Sequence, residues 1–131
     1  MMEHQGIELA FKKLQDDFPA LRIGLAPKQG DPATRIALSG ELLNDESPRF
    51  GTTLSGIVDS LDPGEKIIID MSGLNYICSA GIGALTMALV ASARKRISLV
   101  LVDPQASVYL VFKLLGFSSF FVFESTKGGI G

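Results

Sequence analysis

The run Lys66-Ile67-Ile68-Ile69-Asp70-Met71 constrains this chain more than any other feature, because its three consecutive β-branched residues make both alternating faces of the segment apolar. Successive side chains of a strand point to opposite faces, so such a run suits a central strand covered on both sides, as parallel sheets require. Ile97 to Val102 is a second run of the same kind. Between them, from Ser79 to about Arg94, Ile82, Leu85 and Leu89 recur at helical spacing, with Ser79 in position to cap the helix and Ala84, Ala88 and Ala91 small enough for close packing. Strand, helix and strand in this order close through a right-handed crossover into parallel pairing.

The remaining segments extend the same logic. Leu21-Arg22-Ile23-Gly24-Leu25 and Thr34-Arg35-Ile36-Ala37-Leu38 alternate apolar residues around the turn-rich Pro27 to Pro32, which predicts an antiparallel hairpin. Ser47 followed by Pro48 predicts an N-cap and first helical residue, with Phe50, Leu54, Ile57, Val58 and Leu61 on one face and a stop at Asp62-Pro63-Gly64. A third helix starts at Asp103-Pro104, runs through Val108, Val111, Phe112 and Leu115, and ends at Gly116; Phe120 to Phe123 forms the last strand. Ahead of all this, Ile7, Phe11, Leu14 and Phe18 describe an amphipathic helix stopped by Pro19. Its stripe fits either the chain's own core or a homodimer contact, and spacing does not choose between them. The predicted organisation is an N-terminal helical extension over 1–19, one domain over 20–124 and a flexible tail over 125–131. The predicted fold is α/β: a mixed sheet with an N-terminal antiparallel hairpin, then parallel βαβ units, flanked by helices.

Composition excludes several functions. A chain of 131 residues suits a single core, and a net charge of −2, from 12 basic and 14 acidic residues, leaves no basic surplus for a nucleic acid backbone. Arg94-Lys95-Arg96 falls where a helix ends and complements its dipole there. Cys78 is the only cysteine, so no internal disulfide forms, and no secretory signal precedes the first periodic segment; a cytoplasmic location is expected. Ile77 to Ala93 is uncharged but broken by glycine, serine and threonine, so no membrane insertion is expected.

Enzymatic chemistry has little to stand on. The only histidine, His4, precedes every core element, so no Ser-His or Cys-His pair is predicted, and no metal-ligand spacing is present. Asp16-Asp17 and Asp45-Glu46 lie in polar segments and are expected on a solvated surface. Gly81-Ile82-Gly83 lacks both the third glycine of a dinucleotide fingerprint and the lysine of a phosphate loop. No cofactor and no catalytic residue is assigned. Ser79 stands apart, because a phosphate added at a helix N-terminus meets free N–H groups and the positive end of the dipole.

Taken together, Ile67 to Met71 followed by Ser72-Gly73-Leu74-Asn75-Tyr76-Ile77-Cys78-Ser79-Ala80-Gly81-Ile82-Gly83 resembles the signature stretch of bacterial anti-sigma-factor antagonists, which are STAS domains. Leu38-Ser39-Gly40-Glu41-Leu42 is similar to their Gly-Glu-Leu corner, and Leu114-Leu115-Gly116-Phe117 to the end of their third helix. The resemblance implies a non-enzymatic partner switch: an anti-sigma factor that is also a serine kinase phosphorylates Ser79, and the unphosphorylated protein binds that kinase. It further implies a partner surface made of Leu43, Asn44, Asp45, Ala80, Gly81, Ile82 and Gly83. The chain departs from the family pattern at Cys78, where the family has Asp, at Leu43, where it has a polar residue, and after Glu124, where it has a helix. A second expectation is a STAS scaffold or ligand-binding module of a stress-signalling or lipid-transport complex, docking through the uncharged helix Ile82 to Ala93.

Overall fold

A computed structural model describes residues 4–126; residues 127–131 of the tail expected over 125–131, and the first three residues, lie outside the described part. The elements follow as α1 (His4–Asp17), β1 (Leu21–Leu25), β2 (Thr34–Leu42), α2 (Ser47–Ser60), β3 (Lys66–Ile77), α3 (Ser79–Lys95), β4 (Ser98–Val102), α4 (Ala106–Leu114) and β5 (Val122–Glu124). One five-stranded sheet has the order β1-β2-β3-β4-β5. The β1–β2 pair is antiparallel, and β2–β3, β3–β4 and β4–β5 are parallel, as the alternation of strand and helix demands.

Strands laid down in sequence order through right-handed crossovers leave every connecting helix on the same face of the sheet. The core records this. Ile36, Ile67, Ile69, Leu99 and Leu101 meet Leu54, Ile57, Leu85, Ala88, Val108 and Phe112 of the helices in one continuous cluster. Ile68, Val100 and Val102 point the other way, and among the described apolar residues Ala33 of the hairpin loop packs against them. The isoleucine run is therefore apolar on both faces, but helices cover only one of them. The expected cover on both faces is present, since Ile68, Val100 and Val102 are buried as well; that helices supply it on one face only follows from the strand order, which no single strand reveals.

The N-terminal helix packs on the same face. Ile7, Phe11 and Leu14 are buried in the main cluster with Leu21 and Ile23, so the stripe of α1 serves the chain's own core. Each such side chain removed from water contributes about 1.5–3 kcal/mol. The predicted small residues act as expected: a Cβ on Gly51 of α2 would lie 3.2 Å from Ala84 of α3, which is how closely the two helices cross. At the far end of the sheet, Phe112 packs edge-to-face against Phe121 and Phe123, each at 5.3 Å, and pins α4 to β5. Arg94 and Lys95 occupy the last turn of α3, and Arg96 closes it in the left-handed region with φ 59°.

Three strands differ in extent from the sequence reading by two residues or more, the first being β2, which runs past Leu38 to Leu42. The last strand starts at Val122, after Phe120 and Phe121 have been spent on the turn. β3 runs on to Ile77, well past Met71, because its later residues pair with β2 alone: the β3–β4 ladder ends at Asp70 and Val102, whereas β2–β3 continues to Leu42 and Ile77. That extension is irregular. Register shifts between Ala37 and Ser39 and between Gly40 and Glu41 each place an extra residue in β3, and such bulges bend and twist the pair.

Gly40 sits inside this irregular stretch with φ +83°, and a Cβ there would lie 2.1 Å from the carbonyl oxygen of Ala20. The same oxygen accepts the Glu41 N–H at 2.8 Å, so the bare glycine lets the chain entering β1 close on the end of β2. Gly81 is seated differently, since its Cβ would meet Ile77 Cγ1 at 2.8 Å and Leu42 Cγ and Cδ2 at 2.9 Å. Gly40→Ala is expected to lose about 3 kcal/mol, combining left-handed strain with a backbone clash. Gly81→Val is expected to lose about 1–3 kcal/mol by overpacking the core. Urea unfolding monitored by circular dichroism checks both, and a variant as stable as the parent would refute the corresponding contact.

Candidate functional site

The extended β2–β3 ribbon carries two chain exits side by side. Cys78 donates its N–H to the Leu42 carbonyl at 3.1 Å, the last tie between the strands. Beyond it, one chain enters the loop Leu43 to Glu46 and the other enters α3. Ile77 and Leu42, packed beneath the helix start at Gly81, hold the loop and the first turn of α3 against each other. Residues 43–45 and 79–83, separated in sequence by a helix and a strand, thus leave the ribbon side by side.

Ser79 is the first residue of α3 and is exposed. It was expected as the N-cap, but that position belongs to Cys78, with φ −95° and ψ 173°, because the hydrogen bond to Leu42 keeps Cys78 in extended backbone. The Cys78 thiol makes no capping bond, and the first turn holds no acidic residue. Among the described residues the Ser79 hydroxyl has no hydrogen-bond partner either. The free N–H groups of the first turn are consequently left to solvent or to an incoming anion.

The loop opposite is held in shape from within. Ser47 donates its hydroxyl to the Leu43 carbonyl at 2.6 Å, so this serine, expected as the cap of α2, instead begins the helix and ties back the loop that leads into it. Leu43 is half-buried, Asn44 and Asp45 are exposed, and Glu46, expected with Asp45 on a solvated surface, is buried.

The expected partner surface is divided by the structure. Leu43, Asn44, Asp45, Ala80 and Gly83 reach solvent to differing degrees. Gly81 and Ile82 are buried beneath them, Ile82 completely, because the inward side of the first turn must cover Leu42 and Ile77. In their place the outer side of α3 presents Met87 and Val90, both nearly half exposed, in line with Ala80 and Gly83. Tyr76, at the end of β3, is equally exposed. The spacing 80, 83, 87 and 90 was legible as a helical stripe, but an uncharged helix in a sequence does not reveal which of its sides the sheet will take.

Among the described residues no group of acidic, histidine or cysteine side chains could hold a metal ion, and no helix is long and apolar enough to cross a membrane. The site offers an exposed hydroxyl at a helix N-terminus, small neighbours and an apolar flank.

The STAS domain family matches residues 26–129. The structure of the anti-sigma factor antagonist SpoIIAA in its unphosphorylated form shares the fold, with a TM-score of 0.62 at 17% identity over 82% of this chain and 90% of that one. An anti-sigma factor antagonist from Mycobacterium paratuberculosis gives 0.60 at 18% identity over 77% and 84%. No curated protein sequence matches the chain. The family match over most of the sequence, carried on a sheet and helix order shared with these structures, places the chain in the STAS domain family.

Proposed function

We propose that this protein is an anti-sigma-factor antagonist, a non-enzymatic partner switch whose binding to an anti-sigma factor with serine kinase activity is controlled by phosphorylation of Ser79. The observation that carries the reading is the exposed, unbonded Ser79 hydroxyl on the first turn of α3, beside the loop of Leu43, Asn44 and Asp45. Structural neighbours named as anti-sigma factor antagonists support the general part of this reading, the antagonist role.

The switch follows from electrostatics. A phosphate on Ser79 adds a charge of about −1.5 to −2 where the helix dipole and free N–H groups accept an anion, so the fold has no reason to change. What changes is the surface. A partner covering Ala80, Gly83, Met87 and Val90 would have to strip water from that charge, which is costly without a matching cation. Unphosphorylated, the same stripe is apolar and small, and docking costs little desolvation. The family's aspartate before the serine is replaced by Cys78, so this chain carries one fewer fixed negative charge beside the hydroxyl. The reading puts the protein in the cytoplasm, where a serine kinase finds ATP.

The exposed Met87 and Val90 also favour a second reading, a STAS scaffold or ligand-binding module docking through α3 without phosphorylation.

Because Ser79 follows the cap, Ser79→Ala is expected to stay within about 0.5 kcal/mol of the parent, keep partner binding and lose phosphorylation. Ser79→Asp should gain about 0.3–1 kcal/mol from the helix dipole and yet weaken the complex about tenfold. Calorimetric titration beside thermal melts reads both, and an Asp variant that binds as tightly as the parent would return Ser79 to a merely structural position. The purified protein is expected to turn over no ATP; hydrolysis that persists after removal of every kinase would refute the non-enzymatic reading.

A further inference from the structure

Glu46 is 2% exposed, at the end of the loop that follows β2, and its Oε2 is buried with no hydrogen-bond partner among the described residues. A carboxylate in that state is costly, and proteins tolerate it where something else completes it. Glu46 lines a cleft of about 420 Å³ between this loop and the end of α1. Asp17 and Asp45 line it as well, and no basic side chain does. Asp17 is already paired with Arg49, which leaves Asp45 and the unclaimed Glu46 oxygen to meet a cation, and no group of acidic side chains among the described residues could hold a metal ion. An organic cation remains.

The wall of the cleft says which kind. Phe18, partly buried, contributes an aromatic ring, and the guanidinium of Arg49 already lies over that ring at 5.4 Å while pairing with Asp17. A planar guanidinium that stacks on an arene and forks onto carboxylates matches these walls better than a compact ammonium does. Leu43, Asn44 and Asp45, which line the cleft on the loop side, also belong to the proposed partner surface, so an arginine of a docked protein can enter from there.

We propose that this cleft is a receptor for a guanidinium cation, presented by an arginine of the partner protein, with Glu46 as its buried acceptor and Asp45 as its exposed one. The source of the cation rests on the partner-switch reading; the cation specificity does not. It also gives the N-terminal helix a part in recognition, since Asp17 and Phe18 come from that end of the chain.

The test is an amide NMR titration of the full chain with N-acetylarginine amide, using N-acetylnorleucine amide as the uncharged control. Saturable shifts confined to residues 17–20 and 43–46 are expected with the arginine probe alone, and Glu46→Gln should weaken them about tenfold while keeping the side-chain shape. Asp45→Asn, at an exposed position that leaves the core undisturbed, should weaken them severalfold and serves if Glu46→Gln fails to fold. Shifts that do not saturate, or that are the same in the variants, would overturn the proposal. The probe should also compete with the partner for the parent protein; saturable binding without competition would assign the cleft to a free guanidino compound and overturn the partner assignment. The titration contains neither partner nor phosphate, so its failure would leave the Ser79 switch standing, and failure of the Ser79 variants would leave the titration standing.

Discussion

The contact of Gly81 with Leu42 and Ile77 is the constraint on which the rest of the site depends. A backbone without a side chain allows α3 to begin directly on top of the β2–β3 ribbon, within 2.8–2.9 Å of where a Cβ would meet those two residues. From that seat the first turn of α3 and the loop after β2 are held at one level, and Cys78 is tied across to Leu42. Moving the helix out by the thickness of a methyl group would separate Ser79 from the loop and open the core beneath both. A surface made of two short segments is therefore set by packing below it.

The one-sided arrangement of helices explains why this seat exists. Because α1, α2, α3 and α4 share one face of the sheet, α2 and α3 must lie against each other, and they do so through Gly51 and Ala84. The ends of those two helices then converge over the last residues of β2 and β3. The bulges in β3 add to this by bending the ribbon beyond the end of β4, which leaves it without a third strand and free to present its tip. The opposite face, with Ile68, Val100 and Val102, takes no part.

Electrostatics divides the site into two zones. Around Ser79 there is no acidic residue in the first turn and an exposed apolar flank at Met87 and Val90, so the helix N-terminus is the dominant field. On the other side of the loop, Asp17, Asp45 and Glu46 gather in one cleft. The first zone would suit an anion and the second a cation. A docked partner would meet both at once, with the short loop of Leu43 and Asn44 as the boundary between them.

Much of the fold was legible in the sequence, because period and punctuation are local properties. The β-branched runs named the parallel strands, the turn-rich Pro27 to Pro32 named the hairpin, and the glycine of Gly40-Glu41-Leu42 stood at a corner that tolerates no side chain. Ser79 could be singled out for the same reason, as a hydroxyl at a strand-to-helix boundary. The sequence could not say that Cys78 rather than Ser79 would cap α3, since that turns on a hydrogen bond to Leu42 from a distant strand. Nor could it separate buried Gly81 and Ile82 from exposed Ala80, Gly83, Met87 and Val90, because all lie on one uncharged helix and only the sheet beneath decides which side is inward. Asp45 and Glu46 are adjacent and chemically alike, yet one reaches solvent and the other is buried. Local pattern determined which elements form and where they stop; burial, and with it the charge and reach of every site residue, was decided only when segments far apart in the chain packed against one another.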